Sequence, residues 1–257
     1  MERNIIHHPE IHEIIEFDSK INTAKAFATE VIINEIKKYP SLPITFATGD
    51  TMLPIYEELR TAVNENKINC ENILVHHLDE YYPISPIAKY SFVNFLYENV
   101  FNPLHIKEKN IFILNGLAKN PHEEADKYDK ILQNHKIGLV ILGVGPGGHI
   151  AFNETGTDFN SRTHLQILSP ESIYRDQVER GQDTPNTAIT QGIATILEAD
   201  RIVLIAYGKY KGKILKKALF ENLCIDCPAS ALRLSGNKVS IYVDNEAAKE
   251  IKLETTI

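Results

Sequence analysis

The stretch Ile137-Gly138-Leu139-Val140-Ile141-Leu142-Gly143-Val144-Gly145-Pro146-Gly147-Gly148-His149 decides how this chain is read. Its first half is apolar, short and rich in β-branched residues, the pattern of a buried strand in a parallel sheet. The strand ends where the glycines begin, four of them among the six residues 143–148. Glycines let a backbone turn tightly and approach a ligand, at an entropic cost that a purely structural loop has little reason to bear. In an open α/β sheet, ligands sit beyond the carboxyl ends of the strands. His149 stands there with an imidazole able to give and take a proton near neutral pH, and Glu154, five residues on, is placed to orient it or balance its charge. Residues 143–154 are therefore the candidate active site.

The same strand-then-polar-turn pattern recurs on both sides. Ile44 to Ala47 reads as a strand running into Thr48-Gly49-Asp50-Thr51, and the amphipathic segment from Pro54 to Val63 reads as a helix opening behind that turn. Free N–H groups and the helix dipole then both face the turn, the makings of an anion site. Ile73 to Leu78 is a buried strand that delivers Asp79 and Glu80 to its carboxyl end, suited to a base presented to a ligand or to a helix cap. His76 and His77, inside that strand, read as packing or hydrogen-bonding residues. Arg201 to Ala206 is another strand, followed by Gly208-Lys209-Tyr210-Lys211-Gly212-Lys213 and an amphipathic helix.

Between these, helices are expected over residues 18–38 (capped by Asp18 or Ser19, stopped by Pro40), from Tyr90 to about Val100, over 121–133 with Asn120 as cap and Pro121 as first helical residue, and over 187–197. Further strands are expected at 111–114 and 239–243, while 169–183 is polar and resists placement. Strands alternating with helices, with ligand-type residues after at least four strands, imply an α/β fold: a single doubly wound, mostly parallel sheet with helices on both faces. Residues 1–257 form one domain on this reading.

A net charge of -7 gives no basic footprint for nucleic acid or an anionic membrane, so an anionic substrate must be met by a local cluster of Lys or Arg. The three lysines at 209, 211 and 213 are that cluster. No apolar run is long enough to span a bilayer and Met1 to Glu16 is too polar for a signal peptide, so a cytoplasmic chain is expected. Cys70, Cys224 and Cys227 make an odd count, against a secreted disulfide framework. Cys224-Ile225-Asp226-Cys227 has redox or zinc-ligand spacing, but with no second pair and no nearby His, buried thiols and no metal are expected.

The string Gly148-His149-Ile150-Ala151-Phe152-Asn153-Glu154, followed by Ser161-Arg162-Thr163, resembles the signature of the glucosamine-6-phosphate deaminase/isomerase family, whose fold is shared with 6-phosphogluconolactonases. Leu78-Asp79-Glu80-Tyr81 resembles a second family segment, and the likeness runs from about residue 18 to 244. The short middle region, the Gly208-Lys209 turn and the Pro228-Ala229-Ser230 run lie closer to the galactosamine-6-phosphate members. The resemblance implies conversion of a 2-amino-2-deoxy-hexose 6-phosphate and water to a ketose 6-phosphate and ammonia, without cofactor or metal. By the same resemblance, His149 with Glu154 opens the sugar ring and Asp79 moves the C2 proton to C1. The turn Gly49, Asp50 and Thr51 then holds the phosphate with Lys211 and with Arg175 or Arg180.

The chain departs from the family pattern in two places. Asp50 stands where a small residue is usual, and a carboxylate about 5 Å from a phosphate repels it by about 3 kcal/mol at an effective dielectric of about 20. It must turn outward, or the pocket differs. Gly147 replaces an aspartate that aids ring opening, so slower ring opening is expected, with room for a differently oriented hydroxyl such as the axial O4 of a galacto sugar.

A 6-phosphogluconolactonase is the rival activity, against which Phe152-Asn153-Glu154 argues. A non-catalytic sugar-phosphate sensor is the other rival, although residues 1–17 are few for the DNA-binding helix pair such regulators carry. A small-molecule sugar phosphate is the expected partner, with neither nucleic acid nor membrane; a homo-oligomer stays open.

Overall fold

In a computed structural model that describes residues 2–179 and 184–253, β6 (Leu139–Leu142) is fully buried, as its run of apolar residues requires. It lies inside a seven-stranded sheet of order β1 (Arg3–Ile6), β2 (Glu13–Phe17), β10 (Val239–Asp244), β9 (Arg201–Ala206), β6, β3 (Pro43–Phe46), β4 (Leu74–His77). All pairings are parallel except β1 with β2. A smaller antiparallel sheet joins β5 (Asp79–Tyr81), β8 (Thr187–Thr190) and β7 (His164–Ile167).

The helices around the sheets are α1 (residues 20–38), α2 (Leu53–Asn64), α3 (residues 92–101), α4 (Pro121–His135), α5 (Pro170–Glu179), α6 (Ile193–Leu197), α7 (Gly208–Phe220) and α8 (Asn245–Lys252). The caps read from sequence are in place. Ser19 Oγ accepts the Asn22 N–H at the start of α1, and Asn120 accepts from His122 and Glu123 ahead of Pro121 in α4.

The chain passes from β3 to its neighbour β4 on one side, then returns across β3 to β6 and continues outward to β9 and β10 on the other side. The loops after β3 and β6 therefore part, and the crevice between them is the switch point where open α/β sheets bind ligands.

Two expectations are corrected. Residues 187–190 form the central strand of the small sheet, not helix: Thr187-Ala188-Ile189-Thr190 alternates, and its partners on both sides override local helical preference. Residues 111–114 make only a single bridge, Ile111 to Val75. There the Leu114 N–H donates to the His77 Nε2 at 2.8 Å, a side chain taking the place of a ladder partner. Residues 3–6 and 13–17, to which the sequence assigns no element, are two strands, β2 pairing in parallel with β10. The lysine-rich segment forms the first turns of α7, which begins at Gly208.

His76 and His77 behave as the strand residues they were taken for. The Nε2 of His76 meets the Nδ1 of His135 at 2.7 Å. Burial holds both rings well below the usual 6.5, to about 3. Unfolding frees them to bind protons, so between about pH 6.5 and 3 the unfolded chain binds more protons and stability falls as pH falls. The melting temperature is accordingly expected to drop between about pH 7 and about pH 5, with a shallower slope in His76→Leu. Equal slopes in a folded variant would show that this ring does not carry the dependence.

Candidate functional site

The crevice between the β3 and β6 loops opens into a cavity of about 330 Å³, within the small-molecule range. One wall is Thr48 to Met52, ahead of α2. Gly49 takes a positive φ of 99°, and no side chain caps α2; Pro54 has no N–H to offer, and Ile55 and Tyr56 donate theirs to the Met52 carbonyl at 2.9 and 3.0 Å. Lys211, from the first turn of α7, donates its Nζ to Thr51 Oγ1 at 2.8 Å, bringing a cation to this turn from a distant part of the chain. Asp50 is exposed and also lines the cavity.

A second wall is the end of the 74–81 segment. Asp79 is 7% exposed and lines the cavity. Its neighbour Glu80 has the capping role: it accepts from Ser91 Oγ at 2.6 Å and from the N–H groups of Phe92 and Val93 at 3.0 and 2.9 Å, at the start of α3. Adjacent strand residues face opposite ways, so one acid meets the ligand space and the other the helix.

The third wall is Gly143 to Pro146 with His149, Ala151 and Phe152. Gly145 is dictated by contact, since a Cβ there would lie 1.8 Å from His149 Nε2. Ala151 holds a φ of 51°, uncommon outside glycine, where the chain bends to bridge Ile150 with Asn153. Asn153 is fully buried and ties the loop down. Its Nδ2 donates to the carbonyls of Ile150 and Gln191 at 2.9 and 2.8 Å, while Gln191 Nε2 donates to the His77 carbonyl at 2.8 Å. The His149 loop and the Asp79 segment are thereby held to a common frame.

Glu154 does not line the cavity but stands behind His149, Oε2 to Nδ1 at 3.6 Å, an ion-pair distance too long for a hydrogen bond. Burial opposes its charge. The His149 ring, the Ser172 hydroxyl and the Ser169 N–H outweigh that burial and hold its carboxyl down to about 2. Ser169 and Ser172 sit at the start of α5, so Glu154 is also the anion at a helix N-terminus. Spacing along the chain gave no sign of either serine.

Arg175, on α5, lines the cavity and donates Nε and Nη2 to Asp176 Oδ1 at 3.1 and 2.8 Å. Asp176 Oδ2 accepts from Tyr81 Oη at 2.6 Å, pinning α5 to the strand that carries Asp79. Arg180 lies outside the described residues. Gly147 is not brought into the cavity: it is exposed, its φ is 67°, and the nearest atom to a Cβ there would be Thr155 Oγ1 at 3.2 Å. A side chain at this position would meet Thr155. Among the described residues, no group of three or more His, Cys, Asp or Glu side chains is arranged to hold a metal.

Residues 18–241 match the family of glucosamine-6-phosphate isomerases and 6-phosphogluconolactonases. The chain belongs to that family. A glucosamine-6-phosphate deaminase of Staphylococcus epidermidis is 34% identical over 242 residues, covering 93% of this chain and 99% of that protein. One from Thermoanaerobacter sp. is 35% identical over 227 residues, 87% of this chain and 89% of that one. Among solved structures, a monomeric glucosamine-6-phosphate deaminase superposes with a TM-score of 0.88 at 31% identity, over 92% of this chain and 99% of that chain. A 6-phosphogluconolactonase from Trypanosoma cruzi superposes at 0.70 with 20% identity, over 95% and 98%, a likeness of fold alone.

The contact between Gly145 and His149 can be tested directly in this member of the family. Gly145 has a φ of -105°, open to any residue, so Gly145→Ala is expected to fold and to displace the His149 ring. Shifted His149 ring-proton resonances check this; an unmoved ring would refute it.

Proposed function

We propose that the protein is a hexosamine-6-phosphate deaminase/isomerase, converting glucosamine-6-phosphate or galactosamine-6-phosphate and water to a ketose 6-phosphate and ammonia. The observation that carries this reading is that Asp79, His149 and Lys211, from the ends of three different strands, line one cavity. The relatives named above support the same activity, as does the Phe152-Asn153-Glu154 segment behind the histidine.

On this reading the phosphate sits at the Gly49–Thr51 turn, against the α2 N-terminus, Lys211 and Arg175. That puts two cations at the anion in a chain whose net charge is -7. His149 moves a proton between O1 and the ring oxygen to open the pyranose, and the anionic Glu154 behind it steadies the imidazolium formed on the way. Asp79 takes the C2 proton and returns it at C1, so the double bond moves and leaves an imine at C2. Water adds to that carbon and ammonia departs. No step asks for a cofactor or a metal. The sugar-phosphate substrate, and the lack of any described helix long and apolar enough to cross a membrane, fit an enzyme of the cytoplasm.

Ammonia release with each of the two amino-sugar phosphates is the decisive measurement. Turnover of at least one is expected; hydrolysis of 6-phosphogluconolactone without ammonia release from either would overturn the reading. Asp79→Asn keeps the shape and removes the base, so kcat should fall by about a thousandfold or more while a linear sugar-phosphate analogue still binds. A near-normal kcat would remove Asp79 from the role of C2 base. Lys211→Ala should raise KM far more than it lowers kcat, since phosphate contacts form in ground and transition state alike. An unchanged KM would place the phosphate elsewhere.

A further inference from the structure

The Cys224–Cys227 pair was read from sequence as inert buried thiols, and its placement in the fold says more. The Cys227 N–H donates to the Cys224 carbonyl at 2.9 Å, closing a four-residue turn. Such a turn keeps its end Cα atoms within about 7 Å, and a disulfide requires about 4.4–6.8 Å. The Cys224 sulfur is folded back over the turn, accepting the Asp226 N–H at 3.4 Å. Cys224 is partly exposed, whereas Cys227 is buried.

The turn also touches the His149 loop at two points. The Cys227 Sγ lies against Gly148, where a Cβ would approach it to 2.5 Å, and the Ile225 carbonyl accepts the Gly156 N–H at 2.9 Å. Gly148 precedes His149 and Gly156 follows Glu154 by two residues, so the turn braces both ends of the segment carrying this pair. From behind, the turn is itself held by Ser230, whose Oγ accepts the Cys224 N–H and donates to the Cys224 carbonyl, both at 3.2 Å. Movement within the turn is therefore passed toward the His149 loop.

We propose that Cys224 and Cys227 are a reversible thiol–disulfide modification site, oxidised by small-molecule disulfides, whose closure withdraws the Cys227 sulfur from Gly148 and slows the chemistry at His149. The Cys224 thiolate attacks one sulfur of the incoming disulfide, breaking its S–S bond and releasing one thiol. The Cys227 thiolate then attacks Cys224 Sγ, forming the intramolecular bond and expelling the second thiol. Two cysteine S–H groups are oxidised, one disulfide is reduced to two thiols, and the two protons leave on those thiols. Cys224 is the entry point because it is reachable. Burial pushes the Cys227 thiol up, so it acts second, within the turn. Cys70 serves as the internal control, since burial pushes its thiol to about 12.

The slowed rate rests on the deaminase reading, but formation of the bond does not. The folded protein is incubated with oxidised glutathione, then analysed by peptide mass mapping and by ammonia release before and after dithiothreitol. The expected result is loss of two hydrogens in the peptide holding Cys224 and Cys227, Cys70 unmodified, and turnover lower by about tenfold or more, as small misplacements of a catalytic group produce. Dithiothreitol restores the rate, and Cys224→Ser keeps its rate under oxidised glutathione. The proposal is overturned if the pair stays reduced in the folded protein while urea-unfolded protein oxidises, or if the disulfide forms and turnover does not change. Should the untreated enzyme release no ammonia, the reading of its function fails, and the mapping still decides whether the site exists.

Discussion

The parallel pairing of β6 with β3 is the constraint on which the rest depends. β6 must be buried on both faces, so the chain can leave it only at its end, and β3 beside it sends its own loop the other way toward β4. Two diverging backbones leave a crevice that neither loop fills. Because parallel strands end together, the residues that follow them reach this crevice from segments far apart in sequence: Gly49 and Thr51 after β3, Asp79 beyond β4, His149 after β6, Lys211 after β9. A rigid sheet supplies position; short loops supply chemistry.

Around the crevice, four carboxylates differ in what they do because they differ in what they touch. Asp79 faces the cavity. Glu80, one residue on, spends its oxygens on the first turn of α3. Glu154 sits between an imidazole and the start of α5, and Asp176 between an arginine and a tyrosine. Taking a carboxylate out of water is costly unless hydrogen bonds or cations replace the lost solvation, as the contacts of Glu80, Glu154 and Asp176 do; the partners of Asp79 are not what distinguishes it, its place on the cavity wall is. The same contacts tie α5 to the His149 loop and to the Asp79 strand, so the arginine that α5 carries is held by the groups that fix these two segments.

The glycines of the loop show how narrowly contact decides residue type. Gly145 and Gly148 are each backed by a side chain, the His149 ring in one case and the Cys227 sulfur in the other. Gly147 between them combines a left-handed backbone with a close neighbour, since a Cβ there would lie 3.2 Å from Thr155 Oγ1. Three glycines in one short loop therefore answer to three different surroundings, which composition alone does not distinguish.

What the sequence determined by itself is local. A run such as Leu139 to Leu142 can only be a buried strand, Asn120-Pro121 can only open a helix, and a strand ending in Thr-Gly or in Gly-rich turns marks where a ligand can sit; these follow from periodicity, capping and glycine freedom within a few residues. Hence the parallel sheet, the Gly49–Thr51 turn, Asp79, His149 and Lys211 were all legible. What only the tertiary structure decided depends on partners distant in the chain. Residues 187–190 are strand because β5 and β7 flank them, 13–17 because β10 does, and 111–114 lose their ladder to a histidine side chain. The hold of Ser169 and Ser172 on Glu154, the outward direction of Gly147 and the seat of Cys227 behind Gly148 are likewise contacts between segments. Local sequence fixes the shape a segment prefers, but pairing and burial are settled by whichever distant surface meets it.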